Sequence, residues 1–229
     1  MSIDNLTRWN RAAQQIDQVK LAIVDLDDTL WRGLIIEDGA FTSEAAEGWP
    51  LGLSEALLFL KKRGVLLAIA SKNEQSKVEA IWDQVWLGRV VLDDFVVRKI
   101  NWKSKAENLA QILADTNLLP RNAVSIDDNP TERMKVKAAL PGIRVLGADL
   151  YGLRRVLLWS SETQTSAITD EAGRRTELIR ANLERESVRR QVLREDFFSK
   201  PSHRLLRNPR CQRQIVRASS RIVEQDQPV

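Results

Sequence analysis

The stretch Val19–Thr29, VKLAIVDLDDT, decides the fold. Val19–Leu26 is an apolar run without helical spacing, and it ends in acids. That is the pattern of a strand buried on both faces of a parallel sheet. Val65–Ala70 (VLLAIA), Phe95–Val97, Ala123–Ile126 and Ile143–Leu146 read as four more short strands. Between and after them lie helical patterns at Leu53–Lys62, Glu74–Trp86, Lys103–Thr116, Thr131–Leu140 and Leu150–Trp159. Ser54 is positioned to cap the first helix and Gly64 to close it. Pro130 suits the first turn of the fourth. Strands alternating with helices predict an α/β fold with a parallel sheet.

Composition agrees with one ordinary domain and an appendage. The chain has 229 residues, of which 43% are hydrophobic and 29% charged, a balance that excludes disordered and fibrous classes. No apolar run reaches the ~18–20 residues of a membrane span, and Met1–Gln18 has no signal-peptide core. One cysteine, Cys211, allows no internal disulfide and suits a cytoplasmic location. One histidine, His203, argues against a His-rich zinc site and a Ser-His-Asp triad. The predicted division is a catalytic core over 1–160, then linker, basic helix and tail over 161–229.

The net charge of +4 belongs to the tail. Asp170–Val229 holds 14 Lys and Arg against 9 Asp and Glu. Asp170–Arg194 reads as a long Arg-rich helix with a solvated, mixed-sign face. The two aromatics of the tail, Phe197 and Phe198, are adjacent rather than interleaved with the cations, so nucleic acid is not an expected partner. Neither is a membrane.

Ligands of open parallel sheets sit at the carboxyl ends of the strands. Four polar clusters fall there. In an extended segment, Asp25 and Asp27 face the same way, with Thr29 next in line. Two neighbouring carboxylates call for a cation between them or a proton on one. Mg²⁺ answers the first need, with Asp127 and Asp128 as further oxygen ligands. A proton on Asp27 answers the second and makes it a general acid. Ser71, Lys72 and Asn73 follow the second strand and, with Thr29, offer phosphate contacts. Lys105 opens a helix and brings an ammonium. Together these parts suit phosphoryl transfer through Asp25 as nucleophile, with Asp27 and Lys105 catalytic. A single acid after a strand is usually a helix cap; four clusters at strand ends are not explained that way. No Walker-type glycine loop is present.

These motifs resemble those of the haloacid dehalogenase (HAD) phosphatases. DLDDTLWRGLIIEDG (Asp25–Gly39), LAIASKN (Leu67–Asn73), INWKSKAEN (Ile100–Asn108) and SIDDNP (Ser125–Pro130) are similar to the FkbH-like family, HAD subfamily IIIC. The resemblance covers about Val19–Arg194. It implies a Rossmann-like HAD core, Mg²⁺, Asp25 as nucleophile, and Asp27 as acid/base. Ser71 and Lys105 become phosphate contacts, and Asp127 with Asp128 joins Asp25 and Asp27 as metal ligands. Many such proteins dephosphorylate 1,3-bisphosphoglycerate and pass a glyceryl group to an acyl carrier protein in polyketide-type pathways. A Cys that holds the glyceryl thioester commonly precedes their Ser-Lys-Asn; here that residue is Ala70. Larger members carry an acyltransferase-like domain after the Arg-rich helix, so a separate acyltransferase is an expected partner.

Only 41 residues separate Thr29 from Ser71, and 33 separate Ser71 from Lys105. The expected cap is therefore minimal, a flap over Trp31–Trp49, leaving the site open to a phosphorylated small molecule or a carrier-bound substrate. Trp31, Trp49 and Trp102 are expected to pack the core. The alternative function is a non-catalytic HAD-fold subunit that binds a biosynthetic partner through Arg174–Arg194.

Overall fold

The computed structural model describes residues 17–34, 42–165 and 167–199. Cys211, His203 and part of the Trp31–Trp49 flap lie outside them. Five strands form one parallel sheet: β1 Leu21–Val24, β2 Leu66–Ser71, β3 Phe95–Ile100, β4 Ala123–Ile126 and β5 Arg144–Leu146. Their order is β3-β2-β1-β4-β5. Leu21 pairs with both Leu66 and Ala123, so β1 is central. The helices are α1 Trp49–Lys62, α2 Gln75–Trp86, α3 Lys105–Thr116, α4 Pro130–Ala139, α5 Leu153–Trp159 and α6 Asp170–Ser199.

The continuous apolar run of β1 divides between two cores. Ala22 and Val24 join one cluster with α1, α2 and α5, through Leu53, Leu57, Trp82 and Leu157. Leu21 and Ile23 join a second with α3 and α4, through Leu109, Ile112 and Val136. The chain builds β1-β2-β3 in one direction, then crosses to β4-β5 on the other side of β1. Right-handed crossovers in opposite directions put their helices on opposite faces. The reversal lies between β1 and β4. It opens a crevice at their carboxyl ends, the usual place for a ligand.

Several boundaries differ from the sequence reading. The first helix begins at Trp49, with Pro50 in its first turn, so Ser54 is not a cap. Its hydroxyl donates to the Leu51 carbonyl at 2.8 Å. Gly64 does close that helix, at φ +85°. Ser161–Thr163 forms a short helical turn with Thr163 buried, and Val19 N–H bonds to the Glu162 carbonyl at 2.9 Å. The polar segment after α5 thus begins as part of the core. The described residues divide into two compact units between Glu184 and Arg185. Within the first unit, Arg175 donates to the Gly64 carbonyl at 3.1 Å, and Ile179 and Leu183 pack on the second cluster. Among the described residues, no helix is long and apolar enough to cross a membrane.

Candidate active site

After Val24 the chain does not stay extended. Leu26–Leu30 folds into a tight turn in which Asp28 takes φ +48°. Leu26 is helical between the extended Asp25 and Asp27, so the two-residue alternation assumed from sequence fails here. Asp25 and Asp27 therefore reach different partners.

Asp25 N–H continues the β1–β4 ladder to the Ile126 carbonyl at 2.9 Å, and Asp127 N–H continues β4–β5 to Leu146. The backbone thus sets Asp25 and Asp127 side by side at the switch point. Lys105, the first residue of α3, sends its ammonium between them. It bonds to Asp127 Oδ2 at 2.5 Å and also to Asp25 Oδ2. Ser104 caps α3 by accepting from Glu107 N–H, which fixes where that helix starts. All three charged groups are buried. Burial pushes the Asp25 carboxyl up to about 6, with Asp127 adding to the rise and Lys105 opposing it. Burial pulls Lys105 down, but its two carboxylates outweigh this and hold it above its ordinary value. Burial also raises Asp128, against the hydrogen bond from Thr29.

Asp25, Asp127 and Asp128 each offer an oxygen within 4.8 Å of the others. Asp127 and Asp128 are held from behind. Asn129 N–H bonds to Asp127 Oδ1 at 2.9 Å, and Arg133 clasps both backbone carbonyls. Thr29 Oγ1 donates to Asp128 Oδ1 at 3.1 Å and accepts from Asp128 N–H at 3.0 Å. Thr29 is thus a brace for the acidic loop rather than a free phosphate contact. The three carboxylates face one ammonium, which leaves an excess of negative charge and an all-oxygen donor set. That is the environment a hard divalent cation fits.

The Asp27 carboxylate lies outside that trio. Its Oδ1 accepts from the Trp31 indole N–H at 2.9 Å, and its Oδ2 from Asn73 Nδ2 at 3.0 Å. Asn73 also reaches Ser71 Oγ at 3.3 Å, so the second-strand loop and Asp27 are brought together. Lys72 is paired elsewhere, with Glu132 of α4 at 3.0 Å.

Sequence reasoning missed the Trp31 contact. Trp31 is fully buried, as expected, and packs edge-on against Trp82 at a centroid distance of 5.7 Å. Trp49 is half-buried and donates to the Thr29 carbonyl at 3.2 Å. Trp102 departs from expectation. It is 64% exposed on the loop leading into α3. Gly147 was also missed. At φ +122°, its place for a Cβ lies 2.0 Å from the Asp127 carbonyl oxygen.

No family model and no curated protein matches the chain. Solved structures do. One is the N-terminal part of a Bacteroides fragilis protein, containing a phosphatase domain and complexed with Mg. It is 29% identical with a TM-score of 0.56, over 72% of this chain and 44% of that one. The present chain therefore spans less than half of that structure's length. More remote are a HAD-superfamily hydrolase, subfamily IA, variant 1, from Geobacter sulfurreducens and a 3-deoxy-D-manno-octulosonate 8-phosphate phosphatase from Moraxella catarrhalis. The first is 20% identical with a TM-score of 0.37, over 56% of this chain and 88% of that one. The second, in complex with magnesium, phosphate and KDO, is 20% identical with a TM-score of 0.39, over 79% of this chain and 98% of that one. With its five-stranded parallel sheet and acidic strand ends, the chain has a Rossmann-like α/β fold, similar to that of the Bacteroides fragilis structure with its phosphatase domain.

Proposed function

We propose that this chain is a Mg²⁺-dependent phosphatase or phosphotransferase of the FkbH-like type, working through an aspartyl-phosphate on Asp25. One observation supports it above the rest: the Lys105 ammonium joins Asp25 to Asp127 at the switch point, with Asp128 within reach of the same cation. The similar Bacteroides fragilis structure, with its phosphatase domain and Mg, supports the same reading.

Asp25, Asp127 and Asp128 would hold the ion. When bound, Mg²⁺ supplies charge balance for the phosphoryl oxygens. Asp25 attacks phosphorus, and the bond from phosphorus to the leaving oxygen breaks. Lys105 stays beside Asp25 and offsets the growing negative charge. Asp27 then takes a proton from water, whose oxygen attacks phosphorus and frees the Asp25 carboxylate and phosphate. The Trp31 and Asn73 N–H donors hold the Asp27 carboxylate in one orientation, as a general base requires. An ester leaving group needs a proton from Asp27, whereas an acyl phosphate departs as a carboxylate and does not. That chemistry favours an acyl phosphate such as 1,3-bisphosphoglycerate, free or as a carrier-bound equivalent.

Ala70 is buried and has no thiol, so the reading stops at phosphate removal and assigns no thioester step. The same methyl group is what favours the second reading, a non-catalytic subunit of a biosynthetic assembly. The intact Lys105–Asp25–Asp127 bridge weighs against that subunit.

The test is phosphate release from 1,3-bisphosphoglycerate made in situ, with and without Mg²⁺. The wild type should release phosphate only with the ion. Asp25→Asn should lower turnover by about three orders of magnitude or more, as removal of a nucleophile does. Comparable release by Asp25→Asn, or release indifferent to Mg²⁺, would sink the reading.

A further inference from the structure

Lys72 follows the last residue of β2, and Glu132 lies in the first turn of α4, which follows β4. Since β1 lies between β2 and β4, their 3.0 Å ion pair crosses the carboxyl end of β1, where Asp25 sits. The strap is asymmetric. The Glu132 side chain is about 10% exposed and that of Lys72 37%, so Lys72 borders solvent at the mouth. Glu132 has a second cation, Lys135, also at 3.0 Å and on its own helix. Asn129 caps α4 at the Thr131 and Glu132 N–H groups, which fixes Glu132 independently of Lys72.

A carboxylate on Lys72 in the resting protein already fills the place an anionic ligand would take. We propose that Glu132 is a built-in competitor for the substrate: an anionic group of the substrate displaces it from Lys72, while Lys135 retains it. This rests on the phosphatase reading above. The buried Lys105 is committed to Asp25 and Asp127 beside the reacting phosphoryl group. Lys72, at the rim, is therefore left for a second, non-reacting anion. A phosphate there outcompetes a carboxylate, because it brings more charge and more acceptor oxygens. A substrate with no second anion gains nothing by opening the strap. Lys72 thus favours phosphorylated compounds that carry a further anionic group, and Glu132 lowers the affinity for all of them.

The experiment compares wild type, Glu132→Gln, Lys72→Gln and the double variant in the full chain with Mg²⁺. The substrates are 1,3-bisphosphoglycerate, which has a second phosphate, and acetyl phosphate, which has none. A partly exposed ion pair of this kind corresponds to roughly a two- to fivefold effect. Glu132→Gln should lower KM for 1,3-bisphosphoglycerate by that factor and leave KM for acetyl phosphate in place. Lys72→Gln should raise KM for 1,3-bisphosphoglycerate, and in that background Glu132→Gln should add no change. A Glu132→Gln effect that persists without Lys72, or a KM that rises or stays level in Glu132→Gln, overturns the competitor. Lys72→Gln tests the strap independently if Glu132→Gln folds poorly; an unaltered KM there also overturns it. No wild-type turnover of either substrate overturns the phosphatase reading and this one with it.

Discussion

Replacing Gly147 by alanine should damage the site through the backbone alone. The added Cβ would lie 2.0 Å from the Asp127 carbonyl oxygen and 2.6 Å from its carbonyl carbon. Real Cβ contacts start near 3 Å, so the Asp127 peptide must retreat by roughly 1 Å or β5 must separate from β4. Either move strains the bond from Asp127 N–H to the Leu146 carbonyl, 3.1 Å long. The φ of +122° adds strain of about 1–3 kcal/mol for any residue with a Cβ. Together with the clash, a loss of about 3 kcal/mol is expected. For a domain of this size that lowers Tm by about 6–12 °C. The displaced Asp127 carboxylate should also cost about a hundredfold in turnover, the scale of a 1 Å misplacement. Gly142→Ala is the control. Its φ is +90°, but its nearest neighbours are 3.9 Å away. It should share the strain without the clash and keep its activity. Thermal unfolding and phosphate release on both variants decide the matter. If Gly147→Ala melts within about 2 °C of wild type and turns over at a similar rate, the reasoning is wrong.

Trp31→Phe keeps a ring against Trp82 but removes the N–H on Asp27. A lost hydrogen bond to a charged group costs about 1.5–3 kcal/mol. Turnover should fall about tenfold or more on that account, with Mg²⁺ affinity held, since Asp27 lies outside the carboxylate trio; an equal fall in metal affinity would contradict the separation. A second expectation concerns pH in chelator. The folded protein holds Asp25 at about 6, above its unfolded value, so ionising it is harder in the native state. Its contribution to stability is complete below about pH 4 and is lost as pH rises through about 6. Asp25→Asn has no such group. It should therefore gain about 2–3 kcal/mol on wild type between pH 4 and 7 in denaturant melts, with Mg²⁺ removing the gain. Parallel pH profiles for the two proteins would refute the assignment.

What the sequence could show follows from what is local. The strands were legible because a run such as Leu21–Val24 is apolar at every position, and α3 because Leu109, Ile112 and Leu113 recur at helical spacing. Lys105 could be placed because it opens that helix. The turn at Asp28 was not legible. It depends on a left-handed residue and on the Gly33 N–H bond to Asp28 Oδ1 at 2.8 Å, neither of which has a periodic signature. The helical Leu26 just before it is equally unmarked in the sequence, and with it Asp27 reaches Trp31 and Asn73 rather than Asp25's partners. Glu132 escaped notice for another reason. An acid three residues into a helix normally serves the helix N-terminus, and only the sheet order reveals that Lys72 lies across β1 from it.

Fold stability and the proposed chemistry share residues. Asp25 and Asp127 are ladder residues before they are site residues, because their N–H groups extend the pairing of β1 and β5 with β4. Their Cα atoms cannot separate without breaking the ladder. Buried like charges of this kind are unfavourable unless compensated. Lys105 compensates one, and it is buried beneath the start of α3, so it cannot follow a departing phosphate. The site is therefore built around a charge deficit that persists in the folded chain. A divalent cation fills it, and once held there it lends positive charge to an incoming phosphoryl group. Metal affinity, read by titration with Mg²⁺, should accordingly rise when inorganic phosphate is present, because ion and phosphate attract each other, and should fall in Asp25→Asn, which removes one of the three carboxylates.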